Sequence, residues 1–430
     1  MIQDLSYPRN HPSIRSVNAD IDPDGYPTAW GTFALTSQLI LSLPPGCRAA
    51  TFDISAAYRI TPVRPDQQNS LCILWEGKVR VDRAVMFGLA SSAGVFGSVA
   101  DMLVDIYSAS GFGPLVKWVD DYFVICLPEH SWTENDFLEL TSTLGIPWSI
   151  EKLRPLAVCQ RYIGFDWHLD SKEVSIPPDK IDRIRALLQS WLQPDFTALA
   201  SDAASLHGKL IHISCIFPLM RPFLRSIALF ASQYQSIRAR LHPPTPLLSD
   251  IQWILELLAI LPNRFPLTPS TPVDLDWWGD ASTSFGIGVT IGGRWAVWKW
   301  ASGVKVGPKQ HFDIGWAEAV AVELALQLAL AEGLLVPGHF LVRSDNAGVV
   351  AVLNRGRSRS RETNEVLKSI YSIMAANRLC LTAVHVSTRI NVADALSRGD
   401  IKGFLAGFPS AQIRSHLPLP SHLSHLLVPF

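Results

Sequence analysis

Two adjacent carboxylates, Asp120 and Asp121, interrupt an otherwise apolar stretch at 117–126, KWVDDYFVIC. Trp118 and Val119 before them, and Tyr122, Phe123, Val124 and Ile125 after them, read as two short buried strands. The acids therefore fall in the turn of a β-hairpin. An Asp-rich turn is ordinary in itself, but two carboxylates on a rigid apolar hairpin are also half of a two-metal site. A third at another strand end decides between the readings, and FDISAAYRI supplies it. Thr51, Phe52 and Ile54 suit a strand, and Asp53 sits where that strand gives way to a small-residue turn, with Tyr58 and Arg59 just beyond. Carboxylates gathered at strand ends repel one another unless cations neutralise them. Magnesium, a hard ion bound by one or two carboxylates plus substrate phosphates, suits such a site. Two ions about 3.5–4 Å apart activate an attacking hydroxyl and stabilise a leaving oxygen, and phosphoryl transfer needs little beyond that and positioning.

A second constellation lies further along. Asp280 follows LDWWG at a strand end, Glu318 stands in the first turn of a helix, Asp345 ends HFLVRSD, and Asp394 lies in NVADALSR. Any one of them reads as a cap or a surface charge. Four at element ends in one compact unit point to a second metal site. Glu323, on the same helix as Glu318, is its rival; Glu318 is preferred because AVAV behind it offers a small apolar packing face.

The elements that must hold these acids are legible in outline. With 430 residues, 48% hydrophobic and 17% charged, the chain is globular and should form about two to four domains. A net charge of −1 gives no global attraction to nucleic acid or to an anionic membrane, so a polyanion must be held by local basic patches and metals. The six cysteines are scattered without a CxxC pair, against a zinc or disulfide scaffold and in keeping with a reducing compartment. The first residues lack the apolar core of a signal peptide. The apolar region 316–336 is broken by Glu318, Glu323 and Glu332, so it reads as a core helix and not a membrane span. The expectation is a cytoplasmic or nuclear chain, not secreted and without a membrane partner; the sequence sets no oligomeric state.

In chain order, a helix at 33–43 ends at Pro44-Pro45, and a β-rich run follows at 71–75. The small-residue loop 88–94 then opens into a helix with Val95, Val99, Leu103 and Ile106 on one face. Such a loop lets a backbone approach a flat ligand closely, or packs a helix start tightly. Next come a helix at 132–144, a strand ending at Lys152, and a hairpin of 161–169 with 173–177. Asp179 is expected to N-cap an amphipathic helix bearing Ile181, Ile184, Leu187, Leu188 and Trp191. Helices continue to 260 with basic positions at Lys209, Arg221, Arg225, Arg238 and Arg240, and Pro262, Pro266, Pro269 and Pro272 punctuate a stiff linker. GIGVTI and RWAVWKW then form a meander, and helices alternate with strands to the end of NVADALSR.

On these residues the first part resembles the palm of a reverse transcriptase. FDISAAYRI is similar to the family's first catalytic motif, WVDDYF to its paired-Asp motif, and FGLASSAGVF to its template-binding motif. Lys152 fits the motif after that, and RYIGFDWHL the primer-grip hairpin. The second part resembles a ribonuclease H through GDAS, WAEAVAVELAL, VRSDN and NVADALSR. The wording is most like retrotransposons that encode a tyrosine recombinase, the DIRS order, with gypsy-type elements the second choice. The resemblance implies an α/β (α+β) multidomain fold: partial fingers and palm over 1–178, a helical thumb or connection over 179–261, a Pro-rich linker over 262–274, a ribonuclease H-like domain over 275–400 and a tail over 401–430. It implies an N-terminally truncated RNA-directed DNA polymerase that also cuts the RNA of an RNA–DNA hybrid. RNA template, DNA primer and deoxynucleoside triphosphates would be its partners, and two magnesium ions per site, with manganese as the alternative, its cofactors. By position, Asp53, Asp120 and Asp121 would be polymerase metal ligands, Asp121 the less essential, with the Ile54 backbone completing the site. Tyr58 would be the steric gate that excludes a 2′-hydroxyl, and Lys152 would meet the nucleotide. Asp280, Glu318, Asp345 and Asp394 would be the nuclease ligands, and Arg355, Arg357, Arg359 and Arg361 a basic substrate-holding protrusion or else a solvated loop. The alternative is a truncated or domesticated nucleic-acid-binding protein without polymerase activity that retains hybrid cleavage.

Overall fold

The computed structural model describes residues 4–9, 11–262, 264–268, 270–411 and 413–430, so 1–3, Asn10, Asn263, Pro269 and Gln412 of the stretches read above lie outside the described residues. The fold is mixed α/β and divides into two compact units, Met1–Pro178 with Pro262–Thr268, and Asp179–Leu261 with Pro269–Phe430.

The first unit is built on strand β1, Arg48–Asp53, whose last five residues are all buried. Helix α1, Phe33–Ser42, precedes it, and the exposed hairpin β2, Cys72–Trp75, with β3, Lys78–Val81, follows. Strands β4, Leu115–Trp118, and β5, Asp121–Cys126, form the expected hairpin; with β6, Arg154–Ala157, they give the order β4-β5-β1-β6. Helix α2, Ser92–Ala109, buries Phe96, Gly97, Ala100, Leu103 and Tyr107. This differs from the expected face of Val95, Val99, Leu103 and Ile106, because the large aromatics are claimed by the core. There Phe52 stacks on Phe137 at 3.9 Å and Phe137 on Tyr107 at 3.7 Å, with Phe137 on α3, Glu134–Leu140. Stacked rings that are fully buried dominate the energetics of such a core. The small residues of the 88–97 stretch serve the chain's own packing. A Cβ at Gly94 would meet the Tyr26 carbonyl at 2.5 Å, and one at Gly97 would meet Thr28 at 2.7 Å.

A second sheet in this unit runs β10-β9-β8-β7, from β7, Cys159–Tyr162, β8, Phe165–His168, β9, Glu173–Ser175, and β10, Arg264–Pro266. The expected strand at 161–169 is thus split by a turn at Ile163 and Gly164, both at positive φ. The stretch read as a linker contributes β10, antiparallel to β9. Three residues of extended, Pro-flanked chain suffice for an edge strand.

The second unit opens with helices α4, Pro178–Trp191, α5, Ala200–Ile213, α6, Leu224–Ser232, and α7, Thr245–Ile260. Helix α4 begins at Pro178, so Asp179 lies inside its first turn, paired with Arg183, and is not the N-cap. The central sheet comprises β11, Trp278–Ala281, β12, Gly286–Ile291, β13, Arg294–Trp300, β14, Gly338–Ser344, and β15, Leu379–His385, in the order β15-β14-β11-β12-β13. Helix α8, Ile314–Ala331, is apolar and long enough to cross a membrane by composition, but 72% of it is buried inside this unit. Helices α9, Ala347–Arg355, α10, Arg361–Asn377, and the short α11, Asp394–Ser397, complete the alternation. The stretch read as a tail is part of the sheet. After α12, Ile401–Gly407, β16, Ile413–Arg414, pairs parallel with β13, and β17, Leu427–Pro429, pairs antiparallel with it.

The α4–α7 helices join the sheet's helices through polar contacts away from water. Lys368 on α10 bonds Asp250 on α7 at 2.9 Å, with side chains only 15% and 7% exposed. Asn364 donates to the Pro222 carbonyl. Burial raises the Asp250 carboxyl above its ordinary value, opposed by bonds from Ser226 and Lys368. Lys368→Met leaves that carboxylate short of its cation and should destabilise the second unit by about 3 kcal/mol. Adding Asp250→Leu should recover most of the loss. Equilibrium urea unfolding of the two variants checks this; equal losses in single and double variants would contradict it.

Candidate active sites

The β1–β5 ladder is antiparallel, and its register sets Phe52 opposite Tyr122 and Asp53 opposite Asp121. The Ile54 N–H donates to the Asp120 carbonyl at 3.0 Å, and the Ser149 N–H to the Asp53 carbonyl at 2.8 Å. The strand end is thereby tied on both sides. Val119, in the hairpin turn, has φ +54, a conformation unfavourable for a β-branched residue; the ladder on either side enforces it. Asp53, Asp120 and Asp121 are neighbours at this strand end, but their oxygens do not converge as those of the second unit do. Burial, then the charges of Asp120 and Asp53, push the Asp121 carboxyl up to about 6. Asp120 is raised by burial and by Asp53, against its own backbone hydrogen bond and Lys152. Lys152 ends a short 3₁₀ turn, Ile150–Lys152, and its Nζ lies 2.9 Å from each Asp53 carboxylate oxygen. Tyr58 packs on Phe87 and Phe96, with ring centroids 4.8 and 5.9 Å away. Burial, then the charge of Asp120, raises its hydroxyl. A cleft of about 550 Å³ opens beside the acids, lined among others by Asp53, Asp121, Lys152, Arg154 and Tyr162.

Residues not singled out in the sequence hold this hairpin from behind. Lys117, 2% exposed, bonds Thr28, the Ala29 carbonyl and Asp101, and lies 4.4 Å from the Trp30 ring centroid. Gly31 leaves room for Tyr162, whose hydroxyl would meet a Cβ there at 2.5 Å. A lysine inside the apolar strand that leads to the acids was the signal for the first of these; nothing in one sequence announces the second.

In the second unit, the β11–β14 ladder is parallel and pairs Trp278 with Arg343, so Asp280 and Asp345, two residues on in each chain, stand at the same level. Glu318 comes from α8, which Asp313 caps by accepting from the Trp316 N–H. A Cβ on Gly279 would sit 3.3 Å from the Ala321 Cβ, and this close helix–strand approach carries Glu318 to the strand ends. One oxygen each from Asp280, Glu318 and Asp345 lies within 4.8 Å of the others, the one group of this kind among the described residues. Burial, with smaller contributions from neighbouring acids, raises Asp280 to about 7 and Glu318 to about 9. Glu318 Oε2 is buried without a hydrogen-bond partner. An orphan carboxylate oxygen among converging acids fits a hard divalent cation.

Asp394 opens α11 nearby. Its charge acts on both Asp280 and Glu318, but its carboxylate is gripped by Arg398 at 2.9–3.0 Å and lies outside the converging group. Asn391, another residue not singled out, donates to Asp280 Oδ1 at 3.1 Å and so orients it. Glu323 is fully buried elsewhere, accepting from Gln327, Ser369 and His422. Arg355, Arg357, Arg359 and Arg361 are exposed between the body of α9 and that of α10, and the Arg359 carbonyl accepts from Arg225.

No family model and no curated protein matches this sequence. Among solved structures, the chain is similar to a foamy viral protease–reverse transcriptase in complex with an RNA/DNA hybrid, with TM-score 0.44 and 16% identity over 87% of this chain and 49% of that one. A form of it with double-stranded DNA gives TM-score 0.41 and 16% identity over 86% of this chain and 62% of that one. The chain thus spans about half to two thirds of the length of these two structures.

A carboxyl raised in the folded state contributes stability while it is protonated, at pH below its unfolded value of about 4, and that contribution is lost as pH rises through the folded value. For Asp280 and Glu318 the loss runs through about 7 and about 9. The melting temperature of the metal-free protein should therefore fall across this range. Magnesium should reverse the fall, and Glu318→Gln should flatten its upper part. Differential scanning fluorimetry with and without a chelator checks this; a pH slope indifferent to both changes would contradict it.

Proposed function

We propose that this chain is a reverse transcriptase with a ribonuclease H, from a retrotransposon most like those that encode a tyrosine recombinase. One observation carries the reading: two separate acid groups, Asp53 with Asp120 and Asp121, and Asp280 with Glu318 and Asp345, stand at the ends of adjoining elements in one chain. The motif resemblance accounts for both at once. When bound, magnesium or manganese supplies activation of the attacking oxygen and charge relief at the phosphorus.

The protein's part is positioning. Asp53 and Asp120 are the principal ligands of the polymerase site, with Asp121 beside them and the Ile54 backbone completing it. Tyr58, wedged against two phenylalanines, presents a stiff ring to the sugar of an incoming deoxynucleotide and excludes a 2′-hydroxyl. Lys152 serves the nucleotide's phosphates. In the second unit, Asp394 joins the three converging acids on leaving Arg398, and the four exposed arginines track the phosphates of an RNA–DNA hybrid. The palm limit at 178 is kept from the sequence reading, with β10 counted in the first unit and β16 and β17 in the second, and a compartment that holds the RNA template, cytoplasm or nucleus, is the place of action.

A second reading keeps hybrid cleavage without polymerisation. One contrast favours it: the second cluster's oxygens converge with an orphan among them, whereas both Asp53 oxygens are taken by Lys152. Primer extension on an RNA template with magnesium tests the first reading. Extension should fall about 100-fold or more in Asp120→Asn, and Tyr58→Ala should admit ribonucleotides. No extension, together with cleavage of a labelled hybrid, would establish the second reading instead. Cleavage should disappear in Asp345→Asn, and its persistence there would overturn the nuclease assignment.

A further inference from the structure

Asp53 and Lys152 are unequal partners. Asp53 is fixed at the end of a buried strand with its side chain 9% exposed, while the Lys152 side chain is 59% exposed on a three-residue turn. The ammonium bonds both carboxylate oxygens at 2.9 Å, so it competes with a metal for the same two oxygens through charge and position. Asp120 and Asp121 also draw on its charge. A single mobile cation thus offsets three gathered acids. A lysine ammonium is a compact point charge on a flexible stem, and a half-exposed ion pair of this kind holds weakly.

Resting on the reading of this site as a metal-dependent polymerase, we propose that Lys152 is an exchangeable counter-ion: it holds Asp53 while no divalent cation is bound and releases it when one arrives. The released ammonium stays at the mouth of the cleft, which Arg154 and Arg161 also line, where it faces the anionic part of a substrate. Metal loading and substrate readiness are then one event. The ion and the ammonium compete for the same two oxygens, and the pair with Asp53 holds Lys152 back from a phosphate.

Manganese binding to the full chain tests this, in an Asp345→Asn background that disables the second cluster, with electron paramagnetic resonance as the readout. Lys152→Met removes the competitor and should tighten Mn²⁺ binding about 3- to 10-fold, while Lys152→Arg, whose fork is harder to displace, should weaken it. In the parent, acylation of Lys152 by an amine-directed reagent, quantified by peptide mass spectrometry, should rise on adding Mn²⁺. In Asp53→Asn it should be high throughout. A lysine with a merely structural role would leave the affinity unchanged. Unchanged or weaker binding in Lys152→Met, with Mn²⁺ uptake still lost in Asp53→Asn, overturns the exchange and leaves the proposed function standing. Mn²⁺ uptake indifferent to Asp53→Asn overturns both.

Discussion

Like charges drawn together out of water are the constraint around which both units are arranged. Carboxylates at adjoining element ends cost free energy twice, once through lost hydration and once through mutual repulsion. The chain meets that cost with rigid backbone. In the first unit the β1–β5 ladder, tied further by the Asp120 carbonyl and Ser149, leaves the acids nowhere to go. In the second, a parallel strand pair and the Gly279–Ala321 contact do the same. Elastic or loop-borne acids would separate and stay hydrated; these are held, so they must be neutralised.

The two units carry their cations differently. Lys152 takes both oxygens of an acid inside its cluster, while Arg398 takes an acid at the margin, Asp394, and leaves the central three to face one another. A guanidinium held by its fork is harder to displace than an ammonium on a flexible stem. The first cluster therefore has one displaceable cation bonded inside it, and the second retains an orphan oxygen.

Much of this was legible in the sequence, because it rests on local pattern. The hairpin around Asp120 and the strands at 286–291 and 294–300 follow from alternation and turn residues within a few positions. What was not legible depended on distant partners. Phe96 and Tyr107 displaced the valines from the buried face of α2 because Phe96 packs on Tyr58 and Tyr107 stacks on Phe137, both distant in the chain. Glycines at 94 and 97 serve Tyr26 and Thr28, a contact no local window contains. Glu318 and Glu323 lie on one helix and differ only in what surrounds them: strand ends in one case, Ser369 and His422 in the other. The stretches at 262–274 and 401–430 read as linker and tail because proline and leucine there carry little periodicity; strand pairing that spans two or three residues needs none.

Strand β13 owes its neutrality to the last residues of the chain. One side pairs with β12 over 294–299, and the other is met by β16 at one end and β17 at the other. An uncovered strand is a template for other chains, and this one bears Trp295, Trp298 and Trp300. The closing segments act as a selvedge: they finish the woven edge so that copies of the protein do not knit together.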